Sequence, residues 1–227
     1  MHNALFDSLA YNWNKLNTGV SPSDSAVLYL LKVCKKNYNI QVSNDLQKSI
    51  LKFSKPYITN KLKFNKTFYE TRKEIITDKL GDDTLEFFFP TIDSLIYKTN
   101  LDYDTTTFII NELNKGIDNS DISESTKKYY KIFTSVFIHS LNHYYEIKND
   151  TNQAFHKYSS LKASPGSWIV SDAIGALDGA IEGGTAGAAG GPVGVAVGAT
   201  VGGVVVGALT SAVETSFSDL IDSWLTK

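Results

Sequence analysis

Glycine recurs every four residues in two long rows near the end of this 227-residue chain, and this spacing constrains the fold most strongly. The first row consists of Gly175, Gly179, Gly183, Gly187 and Gly191. The second row consists of Gly190, Gly194, Gly198 and Gly202. Residues four apart lie above one another on a helix, so each row would form a smooth groove. Such grooves let two helix backbones approach closely. We therefore expect close helix packing here.

The same segment is almost free of charge. From Gly183 to Val213 there are 31 residues without a charged side chain. Each interior glycine weakens a helix by about 0.5–1 kcal/mol relative to alanine, so this helix would be poor in water. In hydrocarbon, an unpaired backbone group costs several kcal/mol, which favours the helix. Because Gly190-Gly191-Pro192 interrupts the segment, we predict a helical hairpin with arms at about 169–190 and 193–213.

A β-strand is the alternative conformation for part of the second arm. The valines at 193, 195 and 197 alternate with glycine and alanine, which is also typical of a strand. Stacked strands of this composition would form a fibrillar or barrel structure. The four-residue order extends further than the two-residue order, and it favours a helix.

Composition divides the chain into parts. Residues 1–162 contain nearly all the aromatic side chains and predict a soluble helical domain, residues 163–167 a linker, and residues 168–213 the hairpin. Residues 214–227 predict a short amphipathic helix, because their apolar side chains follow helical spacing. The expected fold class is therefore all-α, with a helical bundle preceding the hairpin.

Local signals predict where the bundle helices begin and end. Serine, aspartate and other small polar residues favour the start of a helix, as does a proline that follows serine. Glycine favours the end of a helix. The predicted starts are at Ser21-Pro22, Ser43, Asp83, Asp104 and the capping box Asp121-Ile-Ser-Glu124, with stops at Gly81 and Gly116 and a break at Pro90.

The residues flanking the hairpin are typical of a membrane interface. Trp168 precedes the uncharged segment and Trp224 follows it, as interfacial anchors would. Within the first arm, however, Asp178 and Glu182 would be costly facing lipid, at about 2.5–3.5 kcal/mol each near the bilayer centre. They would suit the wall of a water-filled pore. Alternatively, this arm lies on a surface or packs against the bundle.

The repeated Gly-x-x-x-Gly pattern through Gly191 resembles the glycine-zipper stretches of bacterial pore-forming peptides, two-peptide bacteriocins and membrane-associated glycine-zipper proteins. The resemblance covers residues 168–213 alone and extends to no part of residues 1–160. It implies close helix packing in or on a membrane, in either a toxin or an anchor.

Enzymatic chemistry has little support in the sequence. His139 and His143 stand four apart with Glu146 nearby, a spacing that can bind zinc, but no glutamate follows His139 as metalloproteases require. No phosphate-binding glycine motif and no nucleophile elbow occurs. We therefore expect no catalytic residue, no cofactor and no resident metal.

The sequence indicates a membrane-active protein that forms oligomers. Its expected partners are a lipid bilayer and copies of itself or a partner helical protein, and the formal net charge of −2 argues against nucleic acid. The N-terminus has no secretory signal, so we expect either membrane association or secretion by a route that needs none. The leading interpretation is a bacterial pore-forming toxin or a secreted or injected effector. The alternative is an assembly protein whose zipper never enters lipid.

Overall fold

The computed structural model describes the backbone of residues 4–5, 8, 22–59, 66–98, 101–149 and 165–214. These residues form helices joined by short turns, with no strand among them, so the expected all-α fold is confirmed. The α-helices run in the order α1 (Pro22–Tyr38), α2 (Asn44–Thr59), α3 (Lys66–Leu80), α4 (Phe88–Lys98), α5 (Tyr103–Asp118), α6 (Glu124–Asn149), α7 (Pro165–Gly187) and α8 (Gly191–Glu214).

Several predicted helix ends are confirmed. α1 begins at Pro22. The Ser43 hydroxyl accepts a hydrogen bond from the Leu46 backbone N–H at 3.2 Å and caps α2. Gly81 follows α3 with a φ of 55°, a conformation that glycine adopts without strain.

Three other predicted ends are wrong by a few residues. Asp102, not Asp104, caps α5, because its carboxylate accepts from the Thr105 backbone N–H at 3.0 Å. Ser123, not Asp121, caps α6, because its hydroxyl accepts from the Thr126 backbone N–H at 3.2 Å.

The third concerns Asp83, which was expected to start a helix that Pro90 interrupts. Pro90 instead lies in the first turn of α4, where its missing N–H leaves no helical hydrogen bond unmade. Asp83 lies near the start of α6. Its carboxylate accepts from the Thr126 hydroxyl at 2.8 Å and from the Ser123 backbone N–H at 3.3 Å. Hydrogen bonds from Ser123 and Thr126 lower the pKa of Asp83.

The C-terminal segment forms the predicted helical hairpin. The break falls at residues 188–190, a short 3₁₀ turn, and Gly191 then turns the chain with a φ of 67°. Both arms are α-helical, so the strand alternative for residues 193–206 is wrong.

The hairpin separates two hydrophobic cores. One core joins α3–α6 to the first arm, which contributes Ile169, Val170, Ala173, Ile174, Leu177 and Ile181. The other joins α1 and α2 to the second arm, which contributes Val201, Val204, Val205, Ala208 and Leu209. The hairpin therefore lies between two layers of the bundle. Each core contains residues from both sides of the change in composition after residue 162.

Candidate functional site

The two glycine rows pack against each other within one chain. Gly179 faces Gly202, Gly183 faces Gly198 and Gly187 faces Gly194, in antiparallel order along the arms. At each of these six positions a Cβ atom would overlap the backbone carbonyl group of the opposing glycine. Alanine, the next smallest residue, would therefore force the arms apart. We call this contact the glycine seam.

Three other glycines of the predicted rows, Gly175, Gly190 and Gly191, lie outside the seam. Gly175 faces the side chain of Thr210, and a Cβ added to Gly175 would lie 2.5 Å from the threonine Oγ1. A Cβ added to Gly190 would meet no atom within 4 Å. The same is true of Gly191, so, contrary to expectation, close packing does not require glycine there. Its positive φ explains the glycine, because residues with a side chain rarely adopt that conformation.

Glycines outside the two rows make room for α6. A Cβ on Gly184 would overlap the ring and hydroxyl of Tyr129, and one on Gly203 would lie 2.9 Å from Ile132 Cγ2. The hairpin therefore has a close-packed seam between its arms and a second close contact with α6.

The first arm carries a buried carboxylate that is neutralised by α3. Asp178 is 4% exposed, with Arg72 Nη1 at 3.2 Å from its Oδ2 and Lys79 Nζ at 2.6 Å from its Oδ1. Lys79 also binds Glu182 Oε1 at 2.6 Å. We call these four side chains the Asp178 cluster. In this fold the two carboxylates suggested for a pore wall are paired with cations of the bundle.

The Asp178 cluster also governs the protonation of its lysine. Burial alone would lower the pKa of Lys79, but the charges and hydrogen bonds of Asp178 and Glu182 outweigh burial and raise that pKa. Lys79 therefore stays charged throughout the physiological range and remains an ion-pair partner for both carboxylates.

A second buried carboxylate of the first arm is bound by the bundle. Asp172 is fully buried, and its Oδ2 accepts a hydrogen bond from the Ser140 hydroxyl of α6 at 2.7 Å. Polar contacts thus tie α7 to two different bundle helices.

The hairpin tip is apolar and exposed. Ala188, Ala189 and Pro192 are exposed, and Val193 keeps 73% of its surface accessible. The nearest acidic residue on the first arm is Glu182, and no charged residue follows until Glu214. The tip therefore presents apolar surface without a nearby charge of its own.

The proposed zinc residues lie close together on α6 without forming a cluster suited to a metal. His143 Nδ1 is 3.7 Å from Glu146 Oε2, whereas His139 Nδ1 bonds to the Ser135 carbonyl oxygen at 2.7 Å. Among the residues that the structure describes, no group of three histidine, cysteine or acidic side chains could hold a metal ion.

The two expected interfacial anchors fall outside the described side chains. Trp224 lies beyond the described residues, and the backbone alone is described at Trp168, the fourth residue of α7.

Length and composition allow the hairpin to cross a membrane. The stretch Ile169–Thr210 is long and apolar enough, although most of it is buried in this fold and core helices of soluble proteins share these properties. Searches of family models, curated proteins and solved structures found no match to this chain.

Proposed function

We propose that this chain is a membrane-active protein whose hairpin leaves the bundle and inserts into a bilayer, as in a bacterial pore-forming toxin or a secreted or injected effector. The main support is the glycine seam. Because the two arms pack closely against each other along the seam, they can move from bundle to bilayer as one unit without losing their mutual contact.

The dimensions of the arms support insertion. The arms contain 23 and 24 residues, and a helix of that length spans about 35 Å. The hydrocarbon core of a bilayer is about 30 Å thick. The turn between the arms is short and uncharged, so the tip can pass through hydrocarbon first.

Insertion must break the Asp178 cluster. Asp178 lies near the middle of the first arm, where an unpaired carboxylate in lipid costs about 2.5–3.5 kcal/mol on insertion scales. In the bundle Arg72 and Lys79 compensate this charge. We propose that the cluster holds the hairpin in the water-soluble fold. In an inserted oligomer Asp178 and Glu182 would face water.

Dye release from liposomes tests the proposal. The full chain is added to vesicles of mixed neutral and anionic phospholipid that contain a self-quenched dye, and flotation measures binding in parallel. We expect binding and release. A chain that neither floats with the vesicles nor releases dye, at neutral or acidic pH, would contradict the proposal.

The second candidate is an assembly protein whose hairpin stays in the bundle. The observation favouring it is the burial of both arms between two cores, which is also how a core helix of a soluble protein lies. In that case the chain would leave vesicles intact and would co-purify with a helical partner in fixed stoichiometry.

A further inference from the structure

A groove lies between α6 and the second arm of the hairpin, next to the exposed tip. Its volume is about 870 Å³, within the range of about 300–1,000 Å³ usual for small-molecule sites. The groove is distinct from the glycine seam and from the Asp178 cluster, because no residue of either lines it; its walls come from α6, α8 and the end of α7. We call it the tip groove.

The walls of the tip groove are apolar and small. Val195, Ala196 and Ala199 line it from the hairpin, and Ile132 and Val136 line it from α6. Small aliphatic side chains on both sides make the surface mainly apolar, and polar side chains such as Ser135 and Thr185 border it. Such a surface suits a flexible hydrocarbon chain.

The rim of the groove carries the cationic groups. Lys128 is exposed, and it has no ion pair among the side chains that the structure describes. Lys131 pairs with Asp118 outside the groove. The acidic lining residue, Glu124, is turned toward Lys127, with 3.0 Å between the charged atoms. The groove therefore offers a positive charge to a ligand at its edge.

We infer that the tip groove binds a single-chain anionic amphiphile, specifically a long-chain carboxylate. The hydrocarbon chain would lie against the alanines and valines, and the carboxylate would meet Lys128 at the rim. The Tyr129 hydroxyl, which lies against Gly184, lines the groove and can donate to the same head group. Insertion of the hairpin is not required, so this inference stands or falls independently of the proposed function.

Binding is tested with the full chain and a fluorescent C18 polyene carboxylate below its critical micelle concentration. A trimethylammonium compound of equal chain length and a C6 carboxylate serve as comparison ligands. We expect saturable 1:1 binding of the long carboxylate, at least ten times tighter than binding of either comparison ligand. No saturable binding, or equal affinity for the cationic compound, would overturn the inference.

Variants locate the site. Ala196→Phe fills the groove, and Thr200→Phe blocks its mouth from an exposed position that disturbs no core. Each should weaken carboxylate binding at least tenfold, whereas Ala189→Phe, exposed at the tip but outside the groove, should not. Lys128→Gln should weaken carboxylate binding about two- to fivefold, the range of an exposed ion pair, without affecting the ammonium compound. Unchanged carboxylate binding by a folded Thr200→Phe chain would show that the tip groove is not the binding site.

Discussion

Gly183 and Gly198 face each other across the hairpin so closely that a Cβ on either would overlap the carbonyl oxygen of the other. Sequence spacing places each glycine on a helix face, but the contact also requires the turn at residues 188–191 to return the chain in the correct register. The glycine rows are therefore the two sides of one intramolecular seam.

The seam predicts position-specific costs for alanine. Gly183→Ala and Gly198→Ala improve helix propensity, yet each should lower the free energy of unfolding by about 1–3 kcal/mol, because the added methyl group overpacks the seam. Gly190→Ala is the matched control, since nothing lies within 4 Å of its Cβ position. Urea unfolding measures all three variants. Equal effects at positions 190 and 198 would mean that the seam does not limit packing.

Replacing Asp178 is expected to destabilise the fold and to favour insertion into a bilayer. Asp178→Asn removes the charge that pairs with Arg72 and Lys79. Losing the carboxylate that both cations contact at a partly buried site should lower the free energy of unfolding by about 1–3 kcal/mol.

The same variant should insert into vesicles more readily, because the arm carries one charge fewer near its middle. Glu112→Gln, which alters an exposed pair on α5, is the control and should change neither property. Reduced dye release by a folded Asp178→Asn chain would argue against the cluster as a restraint on insertion.

Removing the hairpin should unfold the bundle. Composition predicts a separate soluble domain in residues 1–162, but both cores contain hairpin side chains, including the fully buried Ile174 and Val205. A fragment of residues 1–162 would expose both apolar surfaces to water. We expect it to lack the cooperative thermal transition of the full chain in circular dichroism. A cooperative transition at a similar midpoint would show that the bundle is independent.

Burial of Cys34 predicts loss of stability in alkali. Burial raises the pKa of this thiol from its ordinary value of 9.0 to about 11. Because the folded pKa lies above the unfolded one, the protonated thiol contributes stability below pH 9. This contribution is lost as the pH rises through about 11. Urea titrations across this interval should show a smaller decline in Cys34→Ala than in the parent chain. Parallel declines would exclude the thiol as a contributor.

The sequence predicted the individual helices and turns better than it predicted which helices pack together. Four-residue spacing and Gly190-Gly191-Pro192 were enough to predict a hairpin, because both signals act within a few residues. The neutralisation of Asp178 was not predictable, since Arg72 is 106 residues away along the chain and pairs with it only through packing of α3 on α7.

Capping errors have a similar cause. Aspartate is a residue type that favours helix starts, yet the Asp83 carboxylate accepts a hydrogen bond from Thr126, which is 43 residues away along the chain. An aspartate in a turn can satisfy backbone and side-chain donors of another element as readily as those of the next helix. Gly184 likewise belongs to neither glycine row, and its role is evident only once Tyr129 packs against it.

In the proposed function, the hairpin enters the bilayer tip first. An environment-sensitive fluorophore is attached through Val193→Cys at the tip, in a Cys34→Ala background whose helical fold is verified by circular dichroism. The matched control carries the fluorophore through Phe108→Cys on α5, a position that is 64% exposed in the folded chain.

On addition of liposomes, we expect a blue shift and quenching by lipids brominated on their acyl chains for the label at residue 193. The label at residue 108 should show neither change. Two results would contradict insertion of the hairpin: an unchanged spectrum at residue 193, or equal quenching at both positions.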